Sequence, residues 1–167
     1  MYITTPRLTL RPFEETDAPD VIAILRDPVV RKTYMVPDLP TEEAAMRLFT
    51  RLADLSRDER RVVVAIALAG KVIGFINDTG IEGKSIELGY ALSSAYHNCG
   101  YCTEAFGAVM EALFAAGFEE ILAGAFAHNA ASLRVMEKCG MEVLERVEEI
   151  EYRGEVHTCV YRRKLRG

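Results

Sequence analysis

Apolar residues recur through the middle of the chain with two different periods. Residues 62–68 form a dense run of branched apolar side chains, which predicts a buried central strand. Turns at 69–70 and 82–84 should lead into two further strands, an antiparallel one at 72–77 and a third at 86–92. The third strand is followed by an apolar stripe with a 3.6-residue period, which predicts a long helix packed on the core. The stripe consists of Phe106, Val109, Met110, Leu113 and Gly117.

The two ends of the chain carry shorter patterns of the same kinds. Leu8 and Leu10 alternate with polar residues and indicate a short strand. Amphipathic stretches predict one helix from Thr16 or Asp17 to about Arg26 and another after a cap at Thr41. Towards the C-terminus the pattern predicts, in order, a strand at 121–127, a helix at 130–138 and a hairpin of strands 143–152 and 155–163. Runs of strands interrupted by helices predict an α+β fold with a central, mostly antiparallel mixed sheet and helices on both faces.

Length and composition narrow the class of protein. The 167 residues fit one domain, 1–167, and half of them are apolar, enough for a sizeable core. The formal net charge of −5 and the pI near 5.3 argue against a nucleic-acid-binding protein. The longest apolar run, 62–69, is far shorter than the ~20 residues of a membrane span, and no apolar signal core follows Met1. We therefore expect a soluble cytoplasmic protein with four free thiols; a homodimer stays open.

The loop between the third strand and the long helix is the first candidate for chemistry. Gly100 stands just before the helix opens, and glycine lets the backbone approach a ligand without a Cβ in the way. The N-terminus of a helix presents unpaired N–H groups and the positive end of the helix dipole. A strand, a glycine-bearing loop and a helix start together suit a phosphate or diphosphate.

Two stretches resemble motifs of the GNAT superfamily of N-acetyltransferases. Residues 88–92 and 95–105 resemble the central motif, and residues 129–141 resemble the second motif of that family. The opening at 5–13 is typical of the branch that includes the ribosomal-protein N-terminal acetyltransferases. The family loop usually reads Gln or Arg, two residues, Gly, one residue, then Gly or Ala. Here His97 replaces the first residue and Cys102 the last, while the central Gly100 is kept.

The resemblance implies a fold detail, a co-substrate and a reaction. Strands 86–92 and 121–127 should run parallel and splay apart to admit acetyl-CoA, the co-substrate, and no metal ion is implied. The acetyl group would pass to a primary amine, on a small molecule or a protein N-terminus, by direct attack in a ternary complex. The residues expected to contact the co-substrate are Leu92, which would pair with its pantetheine arm, the amide-bearing loop His97, Asn98, Cys99, Gly100, Tyr101, Cys102 and Thr103, and Asn129.

Two residues are candidates for proton handling. Glu87 lies on the strand that ends at the loop, and some members of the family use a carboxylate from this strand as the general base. Many members use a tyrosine of the second motif as the general acid, but Met136 occupies that position here. Ser132 is the alternative acid, since a serine at the corresponding place is implicated in the ribosomal-protein branch.

Other functions stay open from the sequence alone. Cys99 and Cys102 form a C-x-x-C pair at a helix start, the arrangement of thiol–disulfide oxidoreductases, although several strands and helices precede it here. The same cysteines with His97, and with His128 or Cys139 as a further ligand, could bind zinc, but no second C-x-x-C completes a typical site. Cys102 beside a diphosphate site could also carry a reactive thiolate. A domain with Met136 in place of the acid could bind acyl-CoA without transferring it.

Overall fold

The computed structural model describes residues 1–167 and contains one eight-stranded sheet in the order β1-β2-β3-β4-β5-β6-β8-β7. The strands are β1 Ile3–Thr4, β2 Thr9–Arg11, β3 Val63–Leu68, β4 Lys71–Glu82, β5 Ser85–Leu92, β6 Glu120–Phe126, β7 Glu142–Tyr152 and β8 Glu155–Leu165. Every neighbouring pair is antiparallel except β5 and β6, which are parallel. The predicted mixed, mostly antiparallel sheet is therefore confirmed.

Helices cover both faces of this sheet, as the sequence predicted. They are α1 Ala18–Arg26, α2 Pro28–Arg31, α3 Glu42–Arg57, α4 Tyr101–Ala115 and α5 Ala130–Lys138. One core holds α1 and α3 against the sheet around Phe13 and Phe75, and the other holds α4 and α5 around Phe106 and Met136. The predicted stripe of α4 faces the second core, where its Phe, Val, Met and Leu side chains are at most 1% exposed. None of the helices has the length and apolar character needed to cross a membrane.

Two elements differ from the sequence-based expectation because polar side chains support them. Strand β4 continues to Glu82, past the predicted end at residue 77, through a bulge between Asp78 and Gly80. Asp78 is buried there and accepts hydrogen bonds from Arg61 Nε (2.7 Å) and from the Val62 backbone (3.2 Å). The short helix α2 begins where a helix was expected to end, because the Asp27 side chain caps it by accepting from the Val29 N–H.

The parallel pair β5–β6 separates after three residue pairs. The register runs from Ser85 opposite Glu120 to Glu87 opposite Leu122 and then stops. Beyond that point the end of β5 stays bonded to β4, and the end of β6 stays bonded to β8. The predicted splay is thus confirmed, and it leaves an opening in the sheet between 88–92 and 123–126.

Gly74 on β4 lies opposite Leu92, at the end of β5. A Cβ there would lie 2.9 Å from Leu92 Cδ1 and would clash with the carbonyl oxygen of Ala91. Overpacking of this kind typically costs about 1–3 kcal/mol of folding free energy. We therefore expect Gly74→Ala to lower the free energy of unfolding by about that amount in urea denaturation. Gly80→Ala is the control on the same strand, because its Cβ would meet no atom within 4 Å. Equal stabilities of the two variants would contradict the expectation.

Candidate functional site

The loop before α4 carries a row of backbone amides without acceptors in the protein, which we call the amide cradle (residues 98–103). None of its six N–H groups donates to a backbone acceptor; the first intrahelical donor is Glu104, which bonds to the Gly100 carbonyl (3.0 Å). Asn98 and Gly100 both adopt left-handed backbone angles, with φ of 60° and 80°. Such alternation turns successive N–H groups towards one point, and the α4 dipole adds positive potential there. The amide cradle is therefore suited to an anion with several oxygens.

A second group of residues, which we call the clamp (Thr5, Arg7 and Glu104), fixes the backbone of the amide cradle through hydrogen bonds to the Cys99 carbonyl and to Glu104. Arg7 donates through Nη1 to the Cys99 carbonyl (2.9 Å) and through Nε to Glu104 Oε2 (2.7 Å). The Thr5 hydroxyl donates to Glu104 Oε1 (2.6 Å). In a trans peptide the C=O and N–H point in opposite directions, so holding the Cys99 carbonyl directs the Gly100 N–H into the amide cradle.

Burial and hydrogen bonding shift the pKa of Glu104, the carboxyl group of the clamp, in opposite directions. Burial favours the protonated form of Glu104, but hydrogen bonds from Thr5 and Arg7 outweigh it and keep its pKa below the ordinary value. Glu104 is therefore ionised at neutral pH, and the Arg7 guanidinium compensates its charge near the helix start. The clamp could not be predicted from local sequence patterns, because its partners are about a hundred residues apart in the chain.

The clamp yields a prediction about ligand affinity. Arg7→Met keeps an apolar stem over the Tyr101 ring, above which the guanidinium lies at 4.4 Å, but it frees the Cys99 carbonyl. We expect the dissociation constant for coenzyme A, measured by calorimetry, to rise about tenfold, or ~1.4 kcal/mol, the scale of a hydrogen bond to a charged group. Arg47→Met is the control, since Arg47 pairs with Glu43 on the exposed side of α3. Unchanged affinity in Arg7→Met would contradict a bracing role.

A hydrogen bond joins His97 to Leu92 at the start of this loop. The His97 imidazole Nε2 lies 2.9 Å from the Leu92 carbonyl oxygen, and the His97 backbone N–H donates to Ser94 O (3.3 Å). The imidazole Nε2 and the backbone N–H of His97 are thus used within the protein to close the turn after β5. The free amides therefore begin at Asn98, one residue later than the sequence-based expectation.

The start of α5 lies across the opening from β5. Asn129 caps the helix by accepting the Ser132 N–H on Oδ1 (3.2 Å), which leaves the Asn129 NH₂ group for other contacts. The Ser132 hydroxyl lies 2.6 Å from the hydroxyl of Tyr90, a β5 residue that the sequence analysis did not single out. Met136 is fully buried in the core, so the position at which the family often has tyrosine has only a packing role here.

Glu87 lies on the opposite face of the sheet, within a network of charged side chains. Its carboxylate accepts from the Thr79 hydroxyl (3.1 Å) and from Arg146 Nη1 (3.1 Å). Arg146 also donates to Glu148 (2.8 Å) and lies 3.8 Å from the centre of the Tyr161 ring. Glu87 remains about one quarter exposed, so it is accessible from this face. The sequence placed Glu87 on the strand but gave no indication of its pairing with Arg146.

A bridge of loop and hairpin, which we call the arch (residues 31–38 with 152–153), spans this face. The Tyr152 hydroxyl donates to the Arg31 carbonyl (2.8 Å) and accepts from Arg153 Nε (2.9 Å). Arg153 pairs with Asp38 (3.1 Å), and the Tyr34 hydroxyl donates to Asn77 on β4 (2.9 Å). Asn77 lies opposite Gly89 of β5, so the arch and the Glu87 network lie on the same face of the sheet, the one opposite α4 and α5.

The sequence profile of a family described as an acetyltransferase (GNAT) domain matches residues 7–142 of this chain. The chain belongs to the GNAT acetyltransferase family. Acetyl transfer is the activity by which this family is described, so the GNAT resemblance noted in the sequence is confirmed.

Individual relatives agree with this assignment. An uncharacterised N-acetyltransferase, YnaD of Bacillus subtilis, is 32% identical over 147 residues, 84% of this chain and 82% of that protein. A GNAT-family acetyltransferase structure from Bacillus anthracis superposes with a TM-score of 0.84 at 26% identity, covering 99% of each chain. RimL, a ribosomal L7/L12 alpha-N-protein acetyltransferase solved with coenzyme A, has a TM-score of 0.88 at 16% identity, covering 99% of this chain and 98% of that one. At that identity the likeness to RimL shows the GNAT fold alone.

The cysteines of this GNAT chain do not have the properties of a redox pair. All four are free thiols, and burial raises the pKa of the Cys102 thiol to about 12. Thiol–disulfide oxidoreductases need a lowered thiol pKa at the helix start, so the expectation of a reactive thiolate at Cys102 is wrong. The helix dipole would lower the pKa of this thiol, but burial outweighs it because the Cys102 side chain packs against the core. No group of three or more His, Cys, Asp or Glu side chains is arranged to hold a metal ion.

The raised pKa of Cys102 predicts an order of thiol reactivity. A thiol with a pKa of about 12 has only about one part in ten thousand as thiolate at pH 8, and the thiolate is the reactive form. We expect iodoacetamide at pH 8 to label exposed Cys99 and to leave Cys102 unmodified, as read by peptide mass mapping. Urea-unfolded protein is the control, in which both should react. Labelling of Cys102 as fast as Cys99 in folded protein would contradict the expectation.

Proposed function

We propose that this protein is an N-acetyltransferase that moves the acetyl group of acetyl-CoA to a primary amine by direct attack in a ternary complex. The observation that carries the proposal is the amide cradle, six consecutive free N–H groups at the start of α4 beside the opening between β5 and β6. The cradle matches a diphosphate in charge and in number of donors, and the opening gives the acyl arm a path into the sheet.

The residues around the opening fit an extended pantetheine arm. Within the sheet the end of β5 is bonded only to β4. Apart from the Leu92 carbonyl, which His97 occupies, the strand edge at 88–92 that faces the opening is therefore free to pair with amides of a ligand. Asn129 has a free NH₂ group on the other side of the opening. We therefore propose that the amide cradle binds the diphosphate of acetyl-CoA and that Leu92 and Asn129 bind its pantetheine arm.

The chemistry needs the acceptor ammonium to lose a proton and the thiolate to leave. Glu87 is a partly exposed carboxylate on the face opposite α4 and α5, and we assign it the role of base, directly or through water. Ser132 lies at the start of α5 on the other side of the sheet opening. We propose that its hydroxyl donates a hydrogen bond to the departing sulfur of coenzyme A. Positioning of the two substrates contributes the rest, up to ~7–11 kcal/mol in good geometry.

We expect the acceptor to approach from the face that carries the arch and the Glu87 network. The carboxylates of Glu87 and Glu148 share one guanidinium, that of Arg146, and this excess of negative charge suits a cationic amine. Both a small-molecule amine and a protein N-terminus carry such a group, and the structural neighbour RimL is an alpha-N-protein acetyltransferase, which acts on the latter.

One experiment tests the proposal directly. Purified protein is mixed with acetyl-CoA and a panel of amino acids, polyamines and peptides with free N-termini, and coenzyme A release and acetylated product are quantified by chromatography. Calorimetry with coenzyme A runs in parallel. Acetylation of an amine supports the proposal, whereas absence of coenzyme A binding contradicts it. Binding without transfer to any amine would favour the second candidate, a non-catalytic acyl-CoA-binding domain, which the buried Met136 at the usual acid position also suggests.

A further inference from the structure

Two hydroxyl groups meet across the opening between β5 and α5. Tyr90 Oη lies 2.6 Å from Ser132 Oγ and 3.1 Å from the Ser132 carbonyl oxygen. The Tyr90 ring packs on Phe106 of α4 with 4.8 Å between ring centres, so its position is set by the core. Burial raises the pKa of Tyr90, so the phenol keeps its proton throughout the neutral range.

The pair has two hydrogen-bonding arrangements because each hydroxyl has one proton. In the first, Tyr90 donates to the Ser132 carbonyl and accepts from the Ser132 hydroxyl. In the second, Tyr90 donates to Ser132 Oγ, and the serine proton is free to point into the opening. The Ser132 N–H is held by Asn129 in both cases, so only the hydroxyl protons move. A negative charge in the opening selects the second arrangement, since it then faces a donor.

We propose that Tyr90 is a positioning residue that turns the Ser132 hydroxyl towards the departing thiolate of coenzyme A, an inference that rests on the proposed acetyl transfer. The family often has a tyrosine hydroxyl at the position of Met136, and this chain has none there. Tyr90 on β5 provides a tyrosine hydroxyl instead, which acts through Ser132. Two hydroxyls in series polarise one another, so the Ser132 O–H is a stronger donor with Tyr90 behind it than alone.

The chemical step balances without any further reactant. The amine nitrogen forms a bond to the acetyl carbon, the carbon–sulfur bond breaks, and sulfur keeps the electron pair. The Ser132 O–H donates a hydrogen bond to that sulfur while Tyr90 O–H donates to Ser132 Oγ, and neither hydroxyl gives up its proton. The nitrogen loses two protons in all, one from the ammonium before attack and one after the new bond has formed, and both leave through Glu87 or water. One proton ends on the thiolate, through water, as coenzyme A leaves, and the other is released to the solvent.

Steady-state kinetics of Tyr90→Phe, Ser132→Ala and the double variant test the coupling. Phenylalanine keeps the ring against Phe106 and removes only the hydroxyl. We expect Tyr90→Phe to lower kcat about tenfold with an unchanged KM for acetyl-CoA, and to have no further effect on the Ser132→Ala background. A wild-type kcat, or a loss that persists in full without Ser132, would overturn the proposal. So would a rise in KM that accounts for the whole effect.

A readout without turnover separates this inference from the proposed function. The ultraviolet absorbance of the bound thiolate gives the pKa of the coenzyme A thiol, after subtraction of the complex with desulfo-coenzyme A to remove the protein cysteines. We expect that pKa to be about one unit higher in Tyr90→Phe than in the wild type. An identical thiol pKa in both overturns the role of Tyr90 whatever the activity. If the shift is seen but no amine is acetylated, the thiolate contact stands and the proposed transfer fails.

Discussion

Replacement of Gly100 by glutamate is expected to weaken coenzyme A binding at least a hundredfold, or ~2.7 kcal/mol, while the domain stays folded. The new side chain would start at Gly100, within the amide cradle, and its Cβ would lie 3.3 Å from Arg7 Nη2. The added negative charge beside the free amides would repel the diphosphate, and the nearby guanidinium limits its cost to the fold. The left-handed φ of 80° adds strain of roughly 1–2 kcal/mol for any residue other than glycine.

Gly83→Glu is the matched control for this experiment. Gly83 also has a positive φ, of 58°, but it lies in the turn between β4 and β5, and its Cβ would meet no atom within 4 Å. The control should therefore carry a similar strain and the same change of charge with wild-type affinity for coenzyme A. Calorimetry gives the affinities, and thermal unfolding reports on the fold. Equal affinities of Gly100→Glu and wild type would remove the amide cradle from the site.

Replacement of Glu87 by glutamine is the second change with a large expected effect. The amide has the shape of the carboxylate but cannot take a proton, so kcat should fall by ~10²–10⁴-fold, the usual contribution of a general base. Glu87 lies on the face opposite α4 and α5, away from the amide cradle, so the affinity for coenzyme A should stay unchanged. Acetylated product measured at saturating acetyl-CoA gives kcat, and calorimetry gives the affinity.

Glu148→Gln shows whether the effect comes from catalysis or from release of Arg146. Glu148 also accepts hydrogen bonds from Arg146, but it lies on β7 and has a second partner in Tyr161. If Glu87 served only to hold Arg146, the two variants would lose similar activity. A much smaller loss in Glu148→Gln supports the base assignment, and wild-type turnover in Glu87→Gln would remove it.

Periodicity and short motifs predicted the parts of this protein that depend on neighbours in sequence. The stripe of α4 places its apolar residues every three to four positions, so its buried face could be predicted correctly. Gly100 before the helix likewise marked the loop in which free amides are found. The splay of β5 and β6 followed from the family resemblance, not from the pattern itself.

The parts that could not be predicted depend on contacts between distant residues. Arg7 reads as an ordinary exposed strand-edge cation until the fold brings it to Cys99. Tyr90 reads as a core aromatic, and only the packing of α5 against β5 places its hydroxyl on Ser132. Asp78 looks like the end of a strand, because nothing local shows that Arg61 will pair with it.

The amide cradle with the clamp and the arch are separate sets of residues, and this separation has an evolutionary consequence. The amide cradle and the clamp use residues 5–7 and 98–104, whereas the arch uses residues 31–38 and 152–153. No position belongs to both sets, and they lie on different segments of the fold. Under the proposed function, substitutions in the arch can therefore accumulate without loss of affinity for acetyl-CoA, and exchange of the hairpin tip between homologues is a direct route to altered selectivity for the amine.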